Sequence, residues 1–270
     1  MSRIADVFAR LRTERSGALI PYICAGDPDP TFTGQLMRRL SQAGADIIEL
    51  GIPFSDPVAD GPVIQRAMAR SLSSGFKPKD AFGLISSARE DGVDQPIVVM
   101  TYFNPILRMG IEKFCSSLRD AGGDGVLVVD LPPEESTELD RFSRSNGLDI
   151  IRLVAPSTND ERIGFILKSS SGFVYAVSVA GTTGVRESIP PSATDLIHRV
   201  KRQTDLPVAL GFGISKPSHV REALRVGADA VVEGSKLVSI YSEAIPDRRR
   251  ALESVASHAL EMKSATRSQP

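Results

Sequence analysis

The chain has 270 residues, 41% of them hydrophobic, with 32 basic and 33 acidic side chains and a formal net charge of −1. That length suits one barrel of roughly 250 residues or two smaller domains. The charges are scattered, so they form no basic patch for nucleic acid or an anionic membrane, and no run approaches the ~18 apolar residues of a membrane span.

In chain order, the first element is an amphipathic helix with Ile4, Val7, Phe8 and Leu11 on one face, expected to cover a barrel floor. Eight short apolar runs rich in Val and Ile follow, at 18–25, 46–51, 96–101, 125–130, 149–154, 173–178, 207–211 and 230–234. Most are apolar on both faces, as buried parallel strands are. Helical spacing fills the gaps, for example at 31–43, 111–121, 194–204 and 219–226. An internal echo links three of the junctions: AGADIIELG from Ala43, AGGDGVLVVD from Ala121 and VGADAVVEG from Val226. In each, a helix ends near Gly and a strand begins just after Asp. No linker or composition shift divides the chain. Residues 1–270 therefore read as a single domain with a short disordered tail from about 264. Eight such units can also form an open doubly wound sheet. No GxGxxG follows the first strand, so the closed (β/α)8 barrel of the TIM type is the expected fold.

Cys24 and Cys115 are far apart and form no CxxC motif, so free thiols are expected. The N-terminus has no apolar leader, and a soluble cytoplasmic protein is the default.

In a (β/α)8 barrel the reactive groups sit at the C-terminal ends of the strands and in the loops that follow. Glu49 lies inside the second apolar run, and period-two alternation places Ile47, Glu49 and Gly51 on one face. That face is either the lumen or the helix layer. The carboxyl is either a structural group satisfied by a neighbour or a general acid/base whose pKa is raised by apolar surroundings. The Pro-rich stretch at 53–62 adds Asp56 and Asp60, equal candidates for chemistry, turn formation or helix capping. Gly211-Phe212-Gly213 after strand seven and Gly234-Ser235 after strand eight suit a phosphate held by backbone amides. A third glycine loop, at 180–186, resembles a lid.

Absences narrow the chemistry. No lysine lies within an apolar strand, His198, His219 and His258 fall in helical segments as surface residues, and no cluster has metal-ligand spacing. What remains is proton transfer by carboxylates on a phosphorylated substrate.

The stretch IELGIPFSDPVADGPVIQRA, from Ile48 to Ala67, resembles the signature of the tryptophan synthase alpha subunit family. YFNPI after strand three, VVDLPPEE after strand four, the Thr183-Gly184 loop and GFGIS match as well. The similarity runs from about Ile4 to about Met262. It implies retro-aldol cleavage of indole-3-glycerol phosphate into indole and glyceraldehyde 3-phosphate. Glu49 would be the principal acid/base, Asp60 the carboxylate facing the indole N–H, and Tyr175 an active-site tyrosine. Gly184, Gly213, Gly234 and Ser235 would hold phosphate. Tyr22, Met100, Leu127, Leu153, Thr183 and Phe212 would line the indole pocket. The sequence departs from the family's commonest pattern with Tyr22 for Phe, Met100 for Leu and Thr182 for Val.

The resemblance further implies a pyridoxal-phosphate beta subunit as partner in an αββα complex. Pro53, Asp56, Asn104, Asp130, Pro132 and the rest of 130–134 would lie at that interface, while this chain itself needs neither cofactor nor metal. The loops at 53–60 and 182–189 are expected to close over substrate. A stand-alone indole-producing lyase, another sugar-phosphate barrel enzyme and a non-catalytic activator of the beta subunit are the alternatives.

Overall fold

The structure, a computed structural model, describes residues 2–177, 188–211 and 213–267. Helix α1 (Arg3–Thr13) is capped by Ser2, whose Oγ accepts the Ala5 N–H at 3.2 Å. Its Ile4, Phe8 and Leu11 are buried at helical spacing. They pack into the floor of a barrel, where the Phe8 and Phe173 rings lie 6.1 Å apart.

Eight parallel strands form that barrel: β1 (Ala18–Cys24), β2 (Ile48–Gly51), β3 (Ile97–Thr101), β4 (Gly125–Val128), β5 (Asp149–Val154), β6 (Val174–Val177), β7 (Val208–Gly211) and β8 (Ala230–Glu233). They pair in chain order, and β8 closes on β1 with Ala18 opposite Ala230. One helix, α2 (Pro30–Gln42), joins β1 to β2. Two helices, α3 (Pro62–Ser73) and α4 (Asp80–Glu90), precede β3, and another two, α5 (Phe103–Met109) and α6 (Ile111–Asp120), precede β4. Among the described residues a single α-helix then lies between successive strands: α7 (Thr137–Ser145), α8 (Asp160–Leu167), α9 (Pro191–Lys201) and α10 (Pro217–Arg225). The chain ends with α11 (Ser235–Glu243) and α12 (Arg248–Ser264). The expected fold is thus the observed one: a single-domain (β/α)8 TIM barrel with an extra N-terminal helix.

Alternation along each strand sorts the core into two layers. Ala18, Ile20, Ile47, Val98, Leu127, Ile151, Ala209, Ala230 and Val232 face the lumen, where they meet α1. Their neighbours in sequence, such as Leu19, Ile48, Val99 and Val231, pack outward against the helices. Glu49 shares the parity of Ile47, which settles its direction: it points into the lumen.

The sequence echo corresponds to a repeated clamp at the floor. Gly44, Gly122 and Gly227 take the left-handed backbone (φ +89°, +87° and +101°) that ends a helix, a conformation only glycine adopts at little cost. The Asp that follows each then clamps the strand before it. The N–H of Asp46 reaches the Leu19 carbonyl at 3.0 Å, and its Oδ2 accepts the Leu19 N–H at 2.8 Å. Asp124 does the same with Ile97 (2.9 and 2.8 Å), and Asp229 with Val208 (2.8 and 2.8 Å). Ser171 completes the set on Ile150, with its Oγ as acceptor at 2.8 Å. Each aspartate also meets a cation: Lys263 and Arg10 at Asp46, Arg89 and Arg3 at Asp124, and Lys201 at Asp229.

Two expectations change. The segment after α12 does not leave the barrel at 264: Ala265 and Thr266 are buried, the Gly17 N–H reaches the Thr266 carbonyl at 2.9 Å, and Arg267 bridges Ser16. Backbone pairing with the start of β1 holds it there. Of the histidines, only His198 is a surface residue. His219 is buried beside Val220 and Ala223, and His258 bonds buried Glu233 at 2.6 Å, because both lie on the inward faces of amphipathic helices. Cys24 and Cys115 are free and buried. Among the described residues no helix is long and apolar enough to cross a membrane.

Candidate active site

Glu49 sits in mid-β2, 1% exposed, and neither carboxylate oxygen has a hydrogen-bond partner. A buried carboxylate is stable as an anion only when bonded or paired. Desolvation first, and then the nearby charge of Asp60, push the Glu49 pKa up to about 8. At neutral pH this group is therefore a protonated acid in a low-dielectric lumen, poised to give a proton and to accept it back.

Two tyrosines flank it. Tyr22 of β1 is the Cα partner of Glu49, and its hydroxyl occupies the space above Gly51: a Cβ there would lie 2.1 Å from the Tyr22 oxygen. Tyr175 of β6 stands in the same relation to Gly211 of β7, where a Cβ would lie 2.3 Å from the ring. Each glycine is thus the cavity that a neighbouring tyrosine fills. Desolvation, followed by the charges of Glu49 and Asp60, holds the Tyr175 phenol well above its ordinary pKa, so it stays protonated.

Asp60 reaches the mouth from the loop between β2 and α3. Its Oδ2 accepts a hydrogen bond from the Tyr102 hydroxyl at 2.6 Å, and the same hydroxyl accepts the Ala59 N–H at 3.0 Å. The Phe54 ring packs on Tyr102 at 5.2 Å. Desolvation raises the Asp60 pKa and the Tyr102 bond opposes it. The loop is tied further along the rim. Asp130 caps α5 by accepting the Phe103 N–H at 2.7 Å, and Arg152 of β5 binds Ser136 Oγ at 2.6 Å and the Asp140 carboxylate.

On the other side of the mouth, Gly213 (φ +45°) follows β7, and Gly234 leads into α11 with no side chain capping that helix. Ser235 is exposed at its first position. The first amides of α11 are thus open to an oxyanion. A 260 Å³ hollow lined by Phe8, Leu11, Arg12, Arg15 and Leu224 lies at the floor, the opposite end from these groups.

A lumen acid, a rim carboxylate and a helix N-terminus meet here around one mouth. The family model described as tryptophan synthase alpha chain matches residues 8–267. The chain is 44% identical to the tryptophan synthase alpha chain of Carboxydothermus hydrogenoformans, over 98% of this chain and all of that one. It is 46% identical to that of Granulibacter bethesdensis, over 92% and 89%. The chain belongs to the tryptophan synthase alpha chain family. Among solved structures, the alpha subunit from Legionella pneumophila superposes with a TM-score of 0.90 at 37% identity, covering 98% of both chains. A tryptophan synthase complex from Pyrococcus furiosus gives 0.84 at 42% identity, covering 92% of this chain and 98% of that one.

Most of the residues expected from the tryptophan synthase alpha resemblance gather at one end of the barrel. Tyr22, Glu49, Met100, Leu153 and Tyr175 share the lumen, with Asp60, Gly213, Gly234 and Ser235 around it. Leu127 faces the lumen but is fully buried, a layer below Leu153. Thr182, Thr183, Gly184 and Phe212, with the whole of the 180–186 lid, lie outside the described residues. Of the expected interface positions, Asp56, Asn104, Asp130 and Pro132 are exposed on the rim. Pro53 is not: it is buried and forms the base of its loop. Two residues escaped the sequence reading. Val129 continues the lumen face of β4, which the two-residue period from Leu127 would have found. Tyr102 lay within the matched YFNPI motif, but its bond to Asp60 spans 42 positions of chain.

Proposed function

We propose that this chain is the lyase subunit of a tryptophan synthase, cleaving indole-3-glycerol phosphate to indole and glyceraldehyde 3-phosphate. The observation that carries the reading is Glu49: buried, unbonded and protonated at neutral pH inside the lumen. Glu49 gives its proton to indole C3, and the ring becomes a cationic indolenine. Asp60, held by Tyr102, accepts the indole N–H and stabilises the charge that develops on nitrogen. The Glu49 carboxylate then removes the proton of the hydroxyl on the adjacent chain carbon. The C–C electrons flow into the ring, the aldehyde forms, and Glu49 is protonated again. The phosphate is held by amides at Gly213, Gly234 and Ser235, with Gly184 as the remaining expected contact. Tyr175 orients the chain.

A beta subunit carrying pyridoxal phosphate receives the indole in an αββα complex, and the reaction takes place in the cytoplasm. Val58 is 85% exposed and Leu107 53% exposed on the same rim as Asp56, Asn104, Asp130 and Pro132, which supports a protein partner seated at the mouth.

The test is indole release by the wild type and Glu49→Gln, each with and without a beta subunit. Weak wild-type release that rises on adding the partner and vanishes in the variant is the expected result. Full activity without a partner would instead make the chain a stand-alone lyase. No indole under either condition would overturn the lyase reading.

A further inference from the structure

Among the described residues at the mouth end of the lumen, two side chains have a buried polar atom with no hydrogen-bond partner. One is Glu49, the acid of the reaction proposed above. The other is Tyr22. It is 3% exposed, and its hydroxyl has neither a donor nor an acceptor beside it. An unbonded buried hydroxyl is costly and a phenylalanine would avoid the cost, so a bonding partner is expected to arrive with the ligand.

The ring's position narrows that partner. Its base runs alongside Gly234, where a Cβ would lie 3.7 Å from the Tyr22 Cβ, and its hydroxyl ends above Gly51. Tyr22 therefore spans the wall from the phosphate turn to the top of β2, in register with Glu49. A substrate with its phosphate at Gly234 and its reacting carbon at Glu49 lays its three-carbon chain along this ring. Its other polar groups are already taken: phosphate by the open amides, the ring N–H by Asp60, and the hydroxyl on the reacting carbon by Glu49 with Tyr175 on the same side. The second hydroxyl of the chain remains. We propose that the Tyr22 hydroxyl is a substrate-contacting group that hydrogen-bonds this second hydroxyl and selects a hydroxylated chain. The proposal rests on the lyase reading. Burial, together with the charges near it, holds the phenol well above its ordinary pKa, so the hydroxyl keeps its proton and can both give and accept a hydrogen bond. A site built to bond a substrate hydroxyl discriminates against a ligand that lacks it.

The experiment compares two ligands, indole-3-glycerol phosphate and indole-3-propanol phosphate, which keeps ring and phosphate but has no chain hydroxyls. Binding is measured by calorimetry on Glu49→Gln, so that the substrate stays intact, with and without Tyr22→Phe. The expected result is about a tenfold loss of affinity for the hydroxylated ligand and no loss for the deoxy one. In the Glu49-containing chain, Tyr22→Phe should lower kcat/KM by a similar factor. The melting temperature of unliganded Tyr22→Phe should be no lower than that of wild type. Equal losses on both ligands, or no loss on either, would overturn the proposal. So would a clear fall in melting temperature, which would show the hydroxyl already bonded in the free chain. Failure of the lyase reading reads out separately, as a wild type that binds these ligands but releases no indole. If neither ligand binds, both readings fall.

Discussion

At the floor of the barrel, Asp46, Asp124 and Asp229 each accept a strand N–H at 2.8 Å and face a cation, whereas at the mouth Glu49 lies buried with both oxygens unbonded. The difference is one of purpose. A bonded carboxylate fixes backbone, and its ionised form is stabilised by what surrounds it. An unbonded one stores a proton that its surroundings are reluctant to release. In this fold the two tasks are assigned to opposite ends of the same strands.

Substitutions at the two ends should therefore separate turnover from stability. Glu49→Gln should lower kcat by about 10³-fold or more, as loss of a general acid/base typically does, without lowering the melting temperature. Its pH signature has a definite sign. The folded pKa, about 8, is raised above the ordinary 4.5, so the folded chain binds more protons than the unfolded one between those values. Wild-type stability should decline as pH rises across this window, and the difference between wild type and Glu49→Gln in parallel denaturation series isolates the effect. Activity should fall above about pH 8 as the acid form is lost. A difference that stays flat with pH would mean that Glu49 is ionised throughout.

Asp46→Ala at the floor should do the reverse. It leaves the Leu19 N–H unbonded and strips Lys263 of its carboxylate, which should cost about 2–3 kcal/mol, or roughly 5–10 °C in melting temperature. Its kcat/KM should stay within about twofold of wild type, and a larger loss of turnover would break the separation between the ends. Tyr102→Phe lies at the mouth but acts through Asp60. It should lower kcat about tenfold, the equivalent of one modest hydrogen bond. The Tyr102 bond lowers the Asp60 pKa, so removing it should move the acid limb of the pH–rate profile to higher pH. An unmoved limb would show that the bond does not act on the carboxylate. Ser171→Ala, the one clamp without charge, should have the smallest effect, about 1 kcal/mol of stability and no change in rate.

The strands were legible in the sequence because parallel strands covered on both faces read as unbroken Val- and Ile-rich runs. The clamps were half legible. The repeated Gly and Asp marked three of the four junctions, but Ser171 was missed because a hydroxyl there carries no sequence signal beyond an ordinary turn. Period-two alternation grouped Glu49 with Ile47 and Gly51, yet could not say which face was the lumen, since that depends on closure of the sheet. Asp56 and Asp60 were indistinguishable as isolated acids. They part only in three dimensions, where Tyr102 turns Asp60 inward and Asp56 stays exposed with Ser55 as its bonding neighbour. His219 and His258 were misread for a related reason. Their helices are amphipathic, and the inward face of a helix is set by what it packs on, as well as by its own polarity.

The clamps have one consequence for how the chain can be cut. Each ties an even-numbered strand to the odd-numbered one before it, β1 with β2, β3 with β4, β5 with β6 and β7 with β8. The smallest self-stapled piece is therefore a quarter of the barrel, a strand–helix–strand module. Ser16, just before β1, and Arg267, just after α12, already pair with each other, so the two ends of the barrel lie together and the barrel is suited to circular permutation. New ends placed at exposed Gly147, between the second and third quarters, leave all four staples whole, while new ends at Gly122 would divide one.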